Sequence, residues 1–481
     1  MTELKSLDGG TTTLAPEALD AFRAAFRGPL LFPTDPGYDD ARSLWNAMID
    51  RRPGLIARAT GTADVAAAVR FAREHGLLSS VKGGGHNIAG LAVCDGGLVI
   101  DCSLMKGVWV DPAARTARAQ AGCTLGDLDR ETQLHGLAAP IGFVSTTGIA
   151  GLTVGGGFGY LSRQFGWTCD NLISVEVVTA EGKVVRASAG EGAGPGEHEE
   201  LFWCLRGGGG NFGIVTSFEY RLFPVGPEIV GGAVVWKGAD AADVLDLYRE
   251  VAAPGSPREL TSVAVLRIAP PAPWLPKSIH GQPIIAIFAC HSGDPRDGER
   301  LAAPIKEFGT PVADIVVRRP FVQMQSLLDA TQPKGRRYYW KSEYLPVIEP
   351  DLCDLVVEHA ARIPSPHGAI ILFQIEGALN EHPASHSPAG NRDAAFVLNI
   401  TASWENAADD AVNIAWAREA WEAMRPFSTG GAYLNFMTED EGAERVQAAY
   451  GKTTLARLAA LKRAYDPENL FRHTKTLVPA G

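Results

Sequence analysis

Four glycine clusters constrain this chain more than any other feature: GGGHN at 83–87, GIAG at 148–151, GGGFG at 155–159 and GGGGNFG at 207–213. Glycine tracts mark places where backbone must bend tightly or approach something closely. Backbone amides freed from side chains can also point into a concavity and hold phosphates without lysine or metal. Gly83 to Asn87, Ser145 to Gly151 and Gly155 to Gly159 could therefore line one long anionic ligand; close packing between layers is the other account of the same glycines. One of the clusters ends on His86, a rigid and titratable group that is nucleophilic when neutral. Read alone, VKGGGHNIAG is equally a surface loop with an incidental histidine.

Two other nucleotide motifs are imitations. Gly208-x-Gly210-x-x-Gly213 matches the dinucleotide fingerprint letter for letter, but IVTSFEYRLF follows it. That is a strand, and the fingerprint needs a helix whose N-terminus faces the pyrophosphate. GKTT at 451–454 imitates the end of a P-loop, yet Val446 stands where its first glycine belongs and no apolar strand feeds it. FAD, an elongated ligand with a pyrophosphate in its middle, suits the remaining clusters.

At 481 residues the chain predicts two lobes. A net charge of -11 argues against nucleic acid or an anionic membrane as partner. The seven cysteines are scattered without a C-x-x-C pair, which offers no disulfide framework or zinc site and suits a reducing compartment. The remaining histidines show no metal spacing. The N-terminus has no apolar signal core and nowhere do 18 apolar residues run together, so the expectation is a cytoplasmic protein.

Hydrophobic periodicity predicts helices at 15–27, 62–76 and 124–136, and strands at 54–59, 77–82, 96–103 and 114–122. Further strands are expected within 173–188, followed by a mobile loop at 190–200. The expected division is a first lobe over 1–225, an inserted lobe over 226–425 and a return to the first lobe over 426–481. In the insert, apolar strands at 230–236, 261–268, 283–291, 368–379 and 394–404 alternate with helices at 240–252 and 409–424. A broad sheet with helices on one side would fit, giving an α+β fold.

The ordered segments SVKGGGHNIAGLA, LVIDCSLM, AGCTLGDL, VSTTGIAGLTVGGGFGYLSRQFGWTCDNL, LFWCLRGGGGNFGIVTSFEYRL and YDPENLFR resemble the berberine-bridge-enzyme-like FAD-linked oxidases. These belong to the wider vanillyl-alcohol-oxidase superfamily, with a PCMH-type FAD-binding domain and an inserted substrate cap of antiparallel sheet and helices. The resemblance implies FAD attached through its 8α carbon to His86. It places Lys82, Gly83, Gly84, Gly85, Asn87, Gly90 and Leu91 along the cofactor. It adds Val144, Ser145, Thr146, Thr147, Gly148, Gly151, Leu152, Gly157, Gly159, Ile214 and Asn435. Many relatives carry a second link from a cysteine; Val144 stands at that position, so no second cysteinyl link is expected.

By the same resemblance, Tyr433 and Asn435 in AYLNF lie beside the flavin, with Tyr433 as base. Phe158 replaces a tyrosine that some relatives use. Strand alternation in GAIILFQIEGALN puts Gln374, Glu376, Ala378 and Asn380 on one face, and the family's equivalent strand roofs the flavin. Glu376 and Asn380 are thus further candidates, with a hydrogen-bonded strand position as the other reading of Glu376. Tyr339 and Lys341 could touch substrate, and Trp236 and Trp404 read as core. The implied reaction is hydride transfer from an alcohol, sugar or secondary metabolite to flavin N5, with O2 as acceptor and H2O2 as product. A dehydrogenase with another acceptor, and a flavin-holding protein without turnover, are the competing readings.

Overall fold

The computed structural model describes residues 2–190 and 196–475. Of the mobile loop expected over 190–200, residues 191–195 lie outside the described residues, while Glu197 bridges to Ser188 and Glu199 opens the helix Glu199–Leu205. The glycine turns hang on two sheets. In the first, strands Leu55–Arg58, Leu98–Asp101 and Ser79–Lys82 run parallel, with Leu30–Leu31 antiparallel at the edge. Parallel strands need a crossover. Helix Thr62–Glu74 supplies one, burying Val65, Val69 and Ala72. The return from Ser79–Lys82 to Leu98–Asp101 is made by the GGGHN loop itself, which places His86 beyond the carboxyl end of a parallel strand. Such ends are where open α/β sheets bind ligands.

The second sheet is antiparallel, in the order Val184–Ser188, Leu172–Val178, Ile214–Arg221, Thr116–Gln120 and Val108–Asp111. The strand Ile214–Arg221 directly follows GGGGNFG, which confirms that no dinucleotide fingerprint is present. Gly451 joins helices Ala443–Tyr450 and Lys452–Tyr465, so GKTT opens a helix and is no P-loop. This last helix ties the chain end to the first lobe. The buried Lys462 ammonium donates to Asp466 Oδ2 at 2.6 Å, to the Asn211 carbonyl at 2.8 Å and to the Phe471 carbonyl at 3.0 Å.

Between these parts lies an eight-stranded, antiparallel sheet. Its main path runs Ala313–Asp314, Glu228–Lys237, Pro283–His291, Leu260–Ile268, Ala369–Gln374, Phe396–Trp404 and Arg337–Leu345. One face packs on helices Ala241–Val251, Pro350–Ala360 and Asp410–Met424, where Leu266, Leu372 and Leu398 share a core with Leu245, Val356 and Trp416. The other face shares a core with the glycine-rich lobe, where Val263, Val265 and Phe373 meet Phe143, Phe158 and Tyr433. Burial on both faces explains the near-continuous apolar runs of these strands. The architecture is the expected α+β fold with a sheet covered by helices on one side.

The structure differs from the sequence reading in four places. Arg337–Leu345 is a strand, and Pro295–Lys306 and Pro350–Ala360 are helices, none of them expected from periodicity. The strand expected over 368–379 covers only Ala369–Gln374. Gly377 ends it with φ +116°, pressed so close to the Arg163 carbonyl that a Cβ would lie 2.5 Å from the oxygen. Residues Ala378–Asn380 then turn as a 3-10 helix, so the alternation stops before Glu376 and Asn380.

Candidate FAD and substrate site

The glycine turns and the free face of the eight-stranded sheet enclose a cavity of about 380 Å³. Gly83, Gly84, Gly85, His86, Asn87 and Leu91 line it, as do Val144, Thr147, Gly148, Gly151, Leu152, Ile214, Tyr433 and Asn435. The turns at 83–87 and 144–151 touch through bare backbone. A Cβ on Gly84 would lie 2.6 Å from Gly148 N and Cα, and a Cβ on Gly148 would lie 2.5 Å from Gly84 N. Both clusters need glycine here because any side chain would push the two turns apart. A Cβ on Gly151 would meet nothing within 4 Å, so this position opens directly onto free space.

Lys82, Gly90, Ser145, Thr146, Gly157 and Gly159 stand behind this wall. Lys82 is buried at its strand end, with Nζ donating to the Ala41 carbonyl and 3.8 Å from Asp101 Oδ2. Ser145 donates its backbone N–H to Asp329 Oδ1 at 2.8 Å, and its hydroxyl to the other oxygen, which clamps the 144–149 turn to the segment before strand Arg337–Leu345. Gly90 packs on Ile49 and Gly159 on the Ile141 carbonyl.

His86 is half-buried in the cavity wall. Trp45 lies flat on its ring at 4.6 Å and the Thr146 hydroxyl is 3.4 Å from Nε2. No carboxylate faces the ring among its described partners, and burial lowers its pKa to about 4. The imidazole is therefore neutral at pH 7, with a lone pair available for bonding. All seven cysteines are free and buried. Cys102 alone among them lines the cavity, and burial raises its pKa to about 12. Val144 presents an aliphatic side chain to the same space.

Tyr433 and Asn435 form a linked pair. The Tyr433 oxygen accepts from the Gly157 backbone N–H at 3.0 Å and from Asn435 Nδ2 at 2.9 Å. A second Asn435 N–H goes to the Leu152 carbonyl at 3.1 Å. Burial pushes the phenol pKa above its ordinary value, against these two bonds, which pull it down. Phe158 packs edge-on against Tyr433 at 4.9 Å.

Glu376 and Asn380 lie away from the cavity wall. The Glu376 carbonyl accepts from Arg163 Nε at 3.0 Å, and Asn380 Nδ2 donates to the Ala394 carbonyl at 2.8 Å. The face of this strand that meets the cavity carries Ala369, Ile371 and Phe373, the opposite parity to the one expected. Gln374 is turned toward the helices, where its amide is held by Ser262 Oγ at 2.8 Å and Ser256 Oγ at 2.9 Å. Tyr339 and Lys341 likewise face the helices, with Tyr339 donating to Asp440 Oδ2 at 2.7 Å and Lys341 paired with Asp440 at 3.3 Å. Their neighbours Tyr338 and Trp340 point the other way. Trp236 and Trp404 are buried core, as expected.

Sequence reasoning missed several wall residues. Trp45, Arg267, Asn399 and Thr401 all line the cavity. Arg267 carried a readable signal, since it shares the parity of Val263 and Val265 in TSVAVLRI. Trp45 carried none, because it arrives on a loop. Elsewhere, Asp170, His382 and His386 converge closely enough to hold an ion, a grouping that sequence spacing did not show. Arg392 already binds both Asp170 oxygens, at 2.8 and 2.9 Å, and Arg206 Nη1 lies 3.1 Å from His386 Nε2. These cations oppose a metal there.

The cavity thus offers bare backbone turns, a neutral histidine and, among the described residues that line it, no Asp or Glu. That donor set fits FAD. No helix among the described residues is long and apolar enough to cross a membrane. Residues 53–188 match the family model described as "FAD binding domain", and 432–477 the one described as "Berberine and berberine like". The chain is 31% identical over 470 residues to (R)-6-hydroxynicotine oxidase of Paenarthrobacter nicotinovorans, covering 95% of this chain and 98% of that one. It is 30% identical over 438 residues to an FAD-linked oxidoreductase of Dictyostelium discoideum, covering 90% and 91%. The crystal structure of 6-hydroxy-D-nicotine oxidase from Arthrobacter nicotinovorans superposes with a TM-score of 0.83 at 30% identity, over 97% of this chain and all of that one. Berberine-bridge-enzyme-like 1 of Physcomitrella patens, at 23% identity, shares the fold with a TM-score of 0.84 over 96% and 99%. Fold, cavity and relatives agree: the chain belongs to the berberine-bridge-enzyme-like family of FAD-linked oxidoreductases.

Proposed function

We propose that this oxidoreductase is an oxidase that holds FAD covalently through His86 alone. The observation that carries this reading is the neutral imidazole fixed in the wall of the glycine-lined cavity. Bound FAD supplies a two-electron acceptor that takes hydride from a substrate carbon and passes the electrons to O2, giving H2O2. His86 would provide the nitrogen that replaces one hydrogen of the flavin 8-methyl group; that hydrogen and the imidazole N–H would leave as protons, and the two electrons would pass to O2. Trp45 fixes the ring's orientation, and the low pKa keeps the lone pair free. The turn at 83–87 and the turn at 144–151 present backbone amides to the pyrophosphate.

Val144 leaves no thiol at the opposite flank, and the buried, protonated Cys102 is a poor nucleophile. Tyr433 is the group that takes the substrate's hydroxyl proton. The two N–H groups that its oxygen accepts from stabilise the phenolate that forms. Phe143, Phe158, Phe373 and Phe436 exclude water from this end of the cavity, which suits a substrate with apolar or ring surface. Domain roles follow: 1–225 and 426–481 hold FAD, and 226–425 caps the substrate. Purified protein incubated with candidate alcohols and amines should bleach under anaerobic conditions and regain its colour in air with one H2O2 per turnover. Reoxidation that is slow in air but fast with a quinone would mark a dehydrogenase instead.

A further inference from the structure

Arg267 sits in the sheet wall of the cavity without an ionic partner. Its Nε donates to the carbonyl of its neighbour Ile268 at 3.2 Å, and its terminal nitrogens make no ion pair among the described residues. Burial lowers its pKa to about 10, so the guanidinium stays charged at pH 7. Burying an unpaired charge is costly, and no Asp or Glu lines this cavity to relieve it. Two buried polar atoms nearby are also unpartnered: Trp340 Nε1 and Asn399 Oδ1.

The register sets where they stand along the cavity wall, with Arg267 and Trp340 three strand spacings apart, about 14 Å, and Asn399 one row over. Arg267 is opposite Ala369, Ala369 opposite Thr401, and Thr401 opposite Trp340, which makes one cross-strand row. Val263 and Phe373 form the row that packs by Phe143 and Phe158, near Tyr433. Four residues separate the two rows along a strand, about 13 Å at the usual rise. Arg267, with its Nε on the Ile268 carbonyl, stands at the far end of that span. A planar fork of N–H donors matches a carboxylate.

We infer that the substrate is an organic carboxylate whose anionic group pairs with Arg267 and whose oxidised carbon lies across that span, beside Tyr433. Trp274 and Ile284 line the cavity beside its apolar body, and the unpartnered Trp340 indole N–H faces the same cavity farther along the wall. This rests on the proposed function, which puts the reacting end at Tyr433. The glycine turns on the facing wall serve the cofactor, so Arg267 is free for substrate.

The test is a titration of purified holoprotein with 3-phenylpropionate and indole-3-acetate, each against its primary amide, followed by flavin absorbance and calorimetry. At least one carboxylate should bind tenfold or more tighter than its amide, and added salt should weaken it. In Arg267→Met that preference should fall to within threefold at unchanged flavin content, whereas Arg267→Lys should keep part of it. If Arg267→Met does not fold, the wild-type pair and Arg267→Lys still decide. Binding by no carboxylate, equal binding of the amides, or a preference that survives Arg267→Met would overturn the inference while leaving the flavin reading intact. Protein purified without flavin would overturn both.

Discussion

Trp45 lies flat against His86, with ring centroids 4.6 Å apart and planes 20° from parallel, and carries Tyr338 on itself at 3.6 Å. The stack is fixed from both sides. The Trp45 backbone N–H donates to the Gly85 carbonyl at 3.1 Å, and its indole N–H to the Gln332 carbonyl at 2.9 Å. Next to it, Asn46 Nδ2 reaches the Ile88 and Tyr338 carbonyls at 3.0 and 2.9 Å. A loop segment far from either in sequence thus joins the histidine turn to the cap sheet. Trp45→Leu should remove ring-stacking terms of about 0.5–1.5 kcal/mol each. It should also slow acid-stable flavin incorporation at least tenfold in apoprotein refilled with FAD, because the imidazole would no longer be held in one orientation.

The lowered pKa of His86 has a direct kinetic consequence. A histidine that loses its proton at about 4 is neutral throughout the range above, so its attachment rate should be level from pH 8 down to about 5 and fall only below. An ordinary imidazole would begin to lose rate near 6.5. Timed acid quenches of apoprotein mixed with FAD at each pH, read by protein-bound fluorescence, give the profile.

Tyr433 predicts a steady slope over the range where His86 predicts a level rate. Burial holds the phenol protonated, so the basic form grows tenfold per pH unit below its raised pKa. Anaerobic flavin reduction should therefore accelerate from pH 7 to 10 without a plateau. Tyr433→Phe should cost 10²- to 10⁴-fold in that rate, the usual range for a general base. It should also flatten the profile while leaving the attached flavin in place.

Gly84 and Gly151 separate structure from binding. Gly84→Ala forces a Cβ to 2.6 Å from Gly148 backbone and should destabilise the protein by about 1–3 kcal/mol, as overpacking does. Gly151→Ala meets nothing within 4 Å outside its own helix, Ile149–Val154, and should hold or slightly raise the melting temperature of apoprotein while weakening FAD uptake. Thermal melts and flavin content of both variants check the pair.

The glycine turns were legible because only glycine satisfies two backbones in contact, and that demand is written in the letters themselves. The cap was legible where strands bury both faces, as in PIIAIFACH. It was illegible in RYYWKSEYL, where Lys341 and Glu343 are buried polar residues whose partners, Asp440 and Arg445, lie about a hundred positions away. The roof strand misled for a similar reason. Its polar residue Gln374 points at serines under the helices, so polarity marked the wrong face. Trp45 could not be found from sequence, since its contacts with His86 and Tyr338 depend on how a loop folds back.

Digestion of acid-precipitated protein followed by peptide mass spectrometry tests the single histidyl link most directly. Colour should stay with the precipitate, FAD mass should map to the peptide bearing His86 and to no cysteine peptide, and His86→Ala should release all of it. Colour left in the acid supernatant, or FAD mass on any other peptide, would contradict it.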